Sequence, residues 1–281
     1  MSVRIVTDST ADLAPQAADA LGIGVVPLSV IFGNEVYREG VDITNDLFYH
    51  RMARSKVLPT TSAPSVGDFL AVYEPLLKEA DEIVSVHLSS KLSATYSNAC
   101  QAAQILSEKG ARIEVVDSLS ISFGLAFQAV AAARAAAGGA AVEEIVEIVQ
   151  RMIPHIHILV VLDTLEYVRR GGRIGRARAF LGTMLRVKPI LSFRDGEVHP
   201  EERVRTKALA MNRIFQITTS FQRVKEVGLG YSTNSQDAEE MRRRLQAALP
   251  GVAVTVAQIG PVLGVHAGPG LLGVGVLEGE E

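Results

Sequence analysis

The sequence predicts an α/β protein of two α/β domains, the first carrying a mostly parallel sheet. Three observations predict it. Short apolar runs alternate with segments of helical periodicity through most of the chain. The polar pairs Asp8-Ser9 and Asp117-Ser118 and the turn Ser89–Ser93 each close an apolar run, where ligands of open α/β sheets bind. Composition then shifts after Pro154, and a second alternating series begins. This places the domains at 1–154 and 155–281, with 58–78 free to pack with the second.

The elements follow in order. Val3–Val6 reads as a strand, and Asp12–Leu21 as a helix with Pro15 in its first turn, where a missing N–H does no harm. Gly22 ends it. Val25–Ile31 reads as one apolar run, and Gly33-Asn34 as a turn into Glu35–Tyr37. Residues 42–54 look helical. In Leu58–Ser65 two prolines flank three hydroxyl residues and stiff extended backbone is expected; Ser65 then caps a helix through Phe69 and Tyr73. Ile83–Leu88 reads as a buried strand and Ala94–Lys109 as an amphipathic helix, with Cys100 on its buried face and Gly110 closing it. Strand Arg112–Val116 and helices Ser122–Ala137 and Val142–Met152 complete the first half. In the second, Ile156–Leu162 is a strand and a helix begins at Asp163–Val168. Lys188–Phe193 and Glu197–Arg203 pair across Asp195-Gly196, a hairpin signal. Helix 207–221, strand 226–231, helix 237–249 and strand 252–257 follow. Ile259–Leu277 holds Gly260-Pro261, His266 and a glycine-rich run into a last strand.

The 281 residues are 48% hydrophobic, enough for two cores, and the net charge of −3 implies no polyelectrolyte partner. One cysteine excludes an internal disulfide and a cysteine zinc site. No stretch of about 18 apolar residues is present, and no signal region opens the chain; a soluble cytoplasmic protein without stable membrane insertion is expected. The sequence lacks a P-loop, an H-E-x-x-H pair, dinucleotide-type glycine spacing and a G-x-S-x-G elbow. Its carboxylates are scattered rather than grouped as metal ligands, so neither metal nor cofactor is expected.

Three constellations remain. Thr61 and Ser93 lie in polar loops beside helix starts. Both are uncharged donors suited to a carboxyl head group, though Ser93 also reads as a plain helix cap. His266, in Gly264-Val265-His266-Ala267-Gly268, reads either as structural or as a group that donates or positions a proton near neutral pH. Residues 169–178 hold five arginines in ten. They suit an acidic or phosphate-bearing partner better than nucleic acid, since no aromatics interleave them and the chain is not basic.

Five segments then resemble a known family: VTDSTADL, LPTTSAPS, HLSSKLSATYSNA, LEYVRRGGRIG and GPVLGVHAGPG, in order along the whole chain. They resemble the DegV family of bacterial fatty-acid-binding proteins. The resemblance implies one fatty acid enclosed between or beside two α/β domains. It implies a carboxyl group held by Thr61 and Ser93, with a contact at Ala94 and His266 in the adjoining network. It further implies a non-enzymatic acyl-carrying subunit of fatty acid kinase, whose separate ATP-dependent subunit makes the acyl-phosphate for phospholipid synthesis. Arg170, Arg173 and Arg203 match the region that meets that subunit. Ala94 stands where the family usually has glycine, so its methyl group is expected either to crowd the head group or to require a backbone there that is not left-handed. The alternative is an enzyme or regulator binding a small phosphorylated ligand at the Ser93 helix start, with Lys91 as the local cation.

Overall fold

The structure, a computed structural model, describes residues 2–182 and 187–279. Its first half runs β1 (Val3–Asp8), α1 (Pro15–Ala20), β2 (Ile23–Val26), β3 (Ser29–Phe32), β4 (Glu35–Arg38), α2 (Asn45–Arg54), β5 (Thr60–Ser62), α3 (Val66–Leu76), β6 (Glu82–His87), α4 (Thr95–Ser107), β7 (Arg112–Asp117), α5 (Phe123–Ala137) and α6 (Val142–Met152). The second runs β8 (Ile156–Val161), α7 (Glu166–Arg170), β9 (Lys188–Arg194), β10 (Glu197–Val204), α8 (Lys207–Ser220), β11 (Val224–Tyr231), α9 (Ser235–Ala248), β12 (Ala253–Gln258), α10 (Pro261–Ala267) and β13 (Leu272–Glu278).

The parallel sheet has the order β2-β1-β6-β7. Every residue of β6 is buried, because helices cover both faces, and such strands read as unbroken apolar runs. On one face Phe69 and Tyr73 of α3 and Ala99, Ala102 and Leu106 of α4 pack on Val6, Val26 and Ile83. On the other, Leu125, Ala129 and Ala132 of α5 and Ile145 and Val149 of α6 pack on Ile5, Val84 and Val86. Because β1, β6 and β7 are parallel neighbours, the three polar turns singled out in the sequence share one edge.

The run expected over Val25–Ile31 is two strands, not one. Pro27 has no N–H to continue a ladder, and the chain leaves the parallel sheet there. β3 enters a separate antiparallel sheet of order β4-β3-β5. The proline-flanked loop supplies β5, its edge strand, with Thr61 opposite Val30. The segment 58–78 therefore divides: β5 joins this small sheet, and α3 packs on β2 and α4. Cys100 is only half-buried, beside the buried Ala99 and Ala103.

The second sheet has the order β10-β9-β8-β13-β11-β12 and mixed direction. Asp195 and Gly196 at the β9–β10 turn both have positive φ, 51° and 78°, the twist a tight hairpin needs. Helices α8 and α9 cover one face through Ala210, Ile214, Met241 and Leu245. Helix α10 is an addition to the sequence-based expectation. Its seven residues are too few to show a period, and Pro261 opens it at a position where no N–H is required. It packs on α2, β3 and β5, elements of the first half.

Candidate functional site

A buried polar chain sets the end of β6. Tyr73 donates to Ser85 Oγ at 2.8 Å, Ser85 Oγ lies 2.7 Å from His87 Nε2, and His87 Nδ1 lies 3.0 Å from Asp8 Oδ2. The Leu88 N–H also donates to Asp8 Oδ2, at 2.9 Å. All four side chains are sealed from solvent, and none is among the residues that line the cavity bordered by Thr61 and Ser93. Despite its Ser-His-Asp composition the chain is a strut: buried polar groups are kept because each satisfies the next. It anchors the start of the Ser89–Ser93 turn.

That turn, β5 and α10 converge. Thr61 Oγ1 of β5 lies 2.9 Å from His266 Nε2 at the end of α10. Ser93 Oγ lies 2.9 Å from Thr95 Oγ1 and accepts the Thr95 N–H at 3.3 Å. Ser93 thus braces the first turn of α4 from one position before the N-cap, which is Ala94 rather than Ser93. Ala94 has φ −74° and ψ 1°, an ordinary right-handed conformation in which alanine costs no strain. Asn98 of α4 donates to the Pro64 carbonyl at 2.8 Å, tying the proline-flanked segment to the helix. Thr61, Ser93, Ala94 and His266 all border one cavity.

His266 differs from the expectation of a proton donor near neutral pH. Desolvation first and the Arg173 charge second push it down to about 4, so its ring is neutral at physiological pH. Its Nδ1 is buried without a hydrogen-bond partner among the described residues. With the proton on Nε2 the ring donates to Thr61 Oγ1, and the Thr61 hydroxyl proton is released toward the cavity. Gly171 makes room for the ring: a Cβ there would lie 2.1 Å from His266 Nδ1.

Two carboxyl groups hold the other end of α10. Asp12 Oδ1 accepts the Gly260 N–H and Glu39 Oε1 the Val262 N–H, both at 2.8 Å. Burial first, then the charge of Asp12, raises Glu39 to about 8; burial chiefly raises Asp12 to about 7. Asp12 also accepts from Ser122 Oγ, beside the cavity. Sequence reading missed this clasp, because its partners lie more than two hundred residues apart.

The cavity measures about 500 Å³. Leu88, Leu92, Val262 and Leu263 line it near the polar groups, and Phe123, Ile158, Val160, Phe193 and Gly275 line it farther along. Arg173 also borders it, so the polar end carries one cation beside its uncharged donors. The Arg173 side chain donates to the Leu92 carbonyl at 2.9 Å and to the Gly171 carbonyl at 2.8 Å. Ala94 and Arg173 are exposed whereas Phe123 is buried, so the polar end is the one that reaches solvent. Arg170 is exposed and paired with Glu166, and the Arg203 guanidinium stacks 4.8 Å from the Phe180 ring centre. Lys91, the cation a phosphate site would use, points away and sits 3.6 Å from Glu197.

A family model described as "Uncharacterised protein, DegV family" matches residues 2–279. The chain belongs to the DegV family. A DegV domain-containing protein of Halalkalibacterium halodurans is 36% identical over 282 residues, covering 97% of each chain. Among solved structures, a DegV family protein of Thermus thermophilus described as fatty acid binding superposes with a TM-score of 0.91 at 33% identity, over 99% of this chain and 100% of the other. DegV of Bacillus subtilis, described as a fatty acid binding protein, gives 0.89 at 31%, with the same coverage. A stearic acid-binding protein of Eubacterium ventriosum gives 0.91 at 27%, over 98% of both chains. The two α/β units expected from the sequence are those of this family. Among the described residues no helix is long and apolar enough to cross a membrane.

Proposed function

We propose that this DegV family protein binds one long-chain fatty acid and presents its head group to a separate kinase subunit, which converts it to an acyl-phosphate for phospholipid synthesis. The cavity carries the proposal: it is apolar along its length and polar at the end that meets solvent. Thr61, polarised by His266, and Ser93 hold the carboxyl group, with the Ala94 backbone beside them and Arg173 supplying positive charge. Burying a methylene is worth about 0.8 kcal/mol, so a tail of about fifteen carbons contributes on the order of 12 kcal/mol, against several for lost freedom. The tail supplies affinity and the polar end supplies orientation. Arg170, Arg173 and Arg203 form the docking region for the kinase subunit, and the solvent-reaching head group suits such a transfer.

Mass spectrometry of lipid extracted from protein purified from its own host tests this. One long-chain fatty acid per chain is expected. A protein that emerges without lipid and fails to take up palmitate, or one that carries a phosphorylated metabolite, overturns it.

A further inference from the structure

The cavity is lined by the buried Phe123 as well as by its polar groups, and we infer that Phe123 is the stop that limits the length of acyl chain it accepts. The inference rests on the fatty-acid reading above. Leu162, just past β8, clusters with Val168 and Ala267 beside the polar end. Ile158 lies four residues earlier, roughly 13 Å back along extended backbone. Register then decides what floors the sheet there: Gly275 stands opposite Ile158, and Gly228 opposite Gly275. Glycine at both positions leaves a trough, and the Phe123 side chain fills it. A Cβ at 228 would lie 2.1 Å from Phe123 Cδ1, and one at 275 would lie 2.8 Å from Phe123 Cβ. One side of Phe123 lines the cavity, and the other packs on Phe127 and Ile156.

The backbone that aims this ring is fixed. Ser122 has φ 48° and ψ −129°, a conformation a non-glycine residue adopts only when its surroundings impose it. Its N–H donates to the Thr10 carbonyl at 2.9 Å, and its hydroxyl to Asp12. The ring is therefore a wall rather than a side chain free to swing aside. Without it the trough over Gly228 and Gly275 continues the cavity.

Binding of saturated fatty acids from dodecanoate to docosanoate tests the assignment. In the parent protein affinity is expected to rise roughly fourfold for each added methylene and to stop rising once the tail meets Phe123. In Phe123→Ala that break moves to longer chains, and in Phe123→Leu it moves by less. Phe127→Ala, on the same helix but outside the cavity, leaves it in place. Should the alanine variant not fold, the leucine variant decides. A break unmoved in the folded Phe123 variants overturns the assignment, as does an equal movement in Phe127→Ala. A parent protein that binds none of these acids overturns the fatty-acid reading itself, a result distinct from an unmoved break.

Discussion

In the proposed site Thr61 and Ser93 border the cavity from differently built surroundings. Ser93 shares its oxygen with the hydroxyl and the N–H of the buried Thr95, so its loss also takes a partner from the first turn of α4. Ser93→Ala is expected to weaken fatty-acid binding by about 1–2 kcal/mol, the worth of one hydrogen bond to a carboxyl group. Thr61→Val removes the hydroxyl that His266 Nε2 faces, leaving a half-buried ring nitrogen unpaired as well. A loss of about 2–3 kcal/mol is expected. Calorimetric titration with palmitate compares them, and equal losses would show that His266 does not act through Thr61. The residue types were legible in the sequence as hydroxyls in polar loops beside helix starts. The pairing of Thr61 with His266 was not, because no local pattern relates positions 205 residues apart. Arg173 shows the same limit: its arginine neighbours suggest a docking surface, and only the fold turns it toward the cavity.

At the scale of elements, α7 and the arginine-rich segment after it crowd α10 where Gly171 stands against His266. A methyl group at 171 pushes the imidazole away from Thr61. Gly171→Ala is therefore expected to weaken lipid binding by about 1–3 kcal/mol, a typical cost of overpacking, although residue 171 does not border the cavity. Unchanged titration isotherms would refute the coupling. One position earlier, Arg170 points outward on its pair with Glu166. Arg170→Glu is expected to leave lipid affinity within about 0.5 kcal/mol while lowering acyl-phosphate formation by the kinase subunit. If lipid binding fails instead, the docking assignment is wrong. Arg173 is the poorer probe, since it touches cavity and turn together. Elements with a full period or clear punctuation were legible: α6 matches its predicted bounds, and the Asp195-Gly196 hairpin forms as read. Helix α10 was not, being two turns long.

For the whole molecule, the parallel sheet was legible because strands buried on both faces leave continuous apolar runs. The return of the chain end onto the first half was not, since α10 packs on α2, β3 and β5, elements far from it in sequence that no local pattern relates to it. Asn45 donates to the Gln258 carbonyl and Tyr49 to the Ile259 carbonyl, each at 3.0 Å, and Asp12 and Glu39 take the next two N–H groups. That join has a pH dependence of definite sign. Unfolded, both carboxyl groups ionise near the usual value of about 4; folded, they hold protons up to about 7 for Asp12 and about 8 for Glu39. Between these limits the folded chain binds protons that the unfolded chain has released, so stability is greatest at the acid end and falls as pH rises. His266 works oppositely. Its folded value of about 4 lies below the ordinary histidine value, so it removes stability only as pH falls below about 6.5. From about pH 6.5 to 8.5 the carboxyl pair therefore sets the slope, with a loss of about 1–3 kcal/mol at 1.36 kcal/mol per pKa unit. Asp12 keeps some contact with solvent while Glu39 is buried, so Glu39 is the residue to change. Glu39→Gln keeps an oxygen for the Val262 N–H and cannot ionise, which leaves only the Asp12 contribution, exhausted above about pH 7. Thermal melts across this range should show the Tm of the parent protein falling by several degrees and that of Glu39→Gln falling by markedly less and levelling above about pH 7. Parallel curves for the two proteins would mean that the join carries no proton of its own.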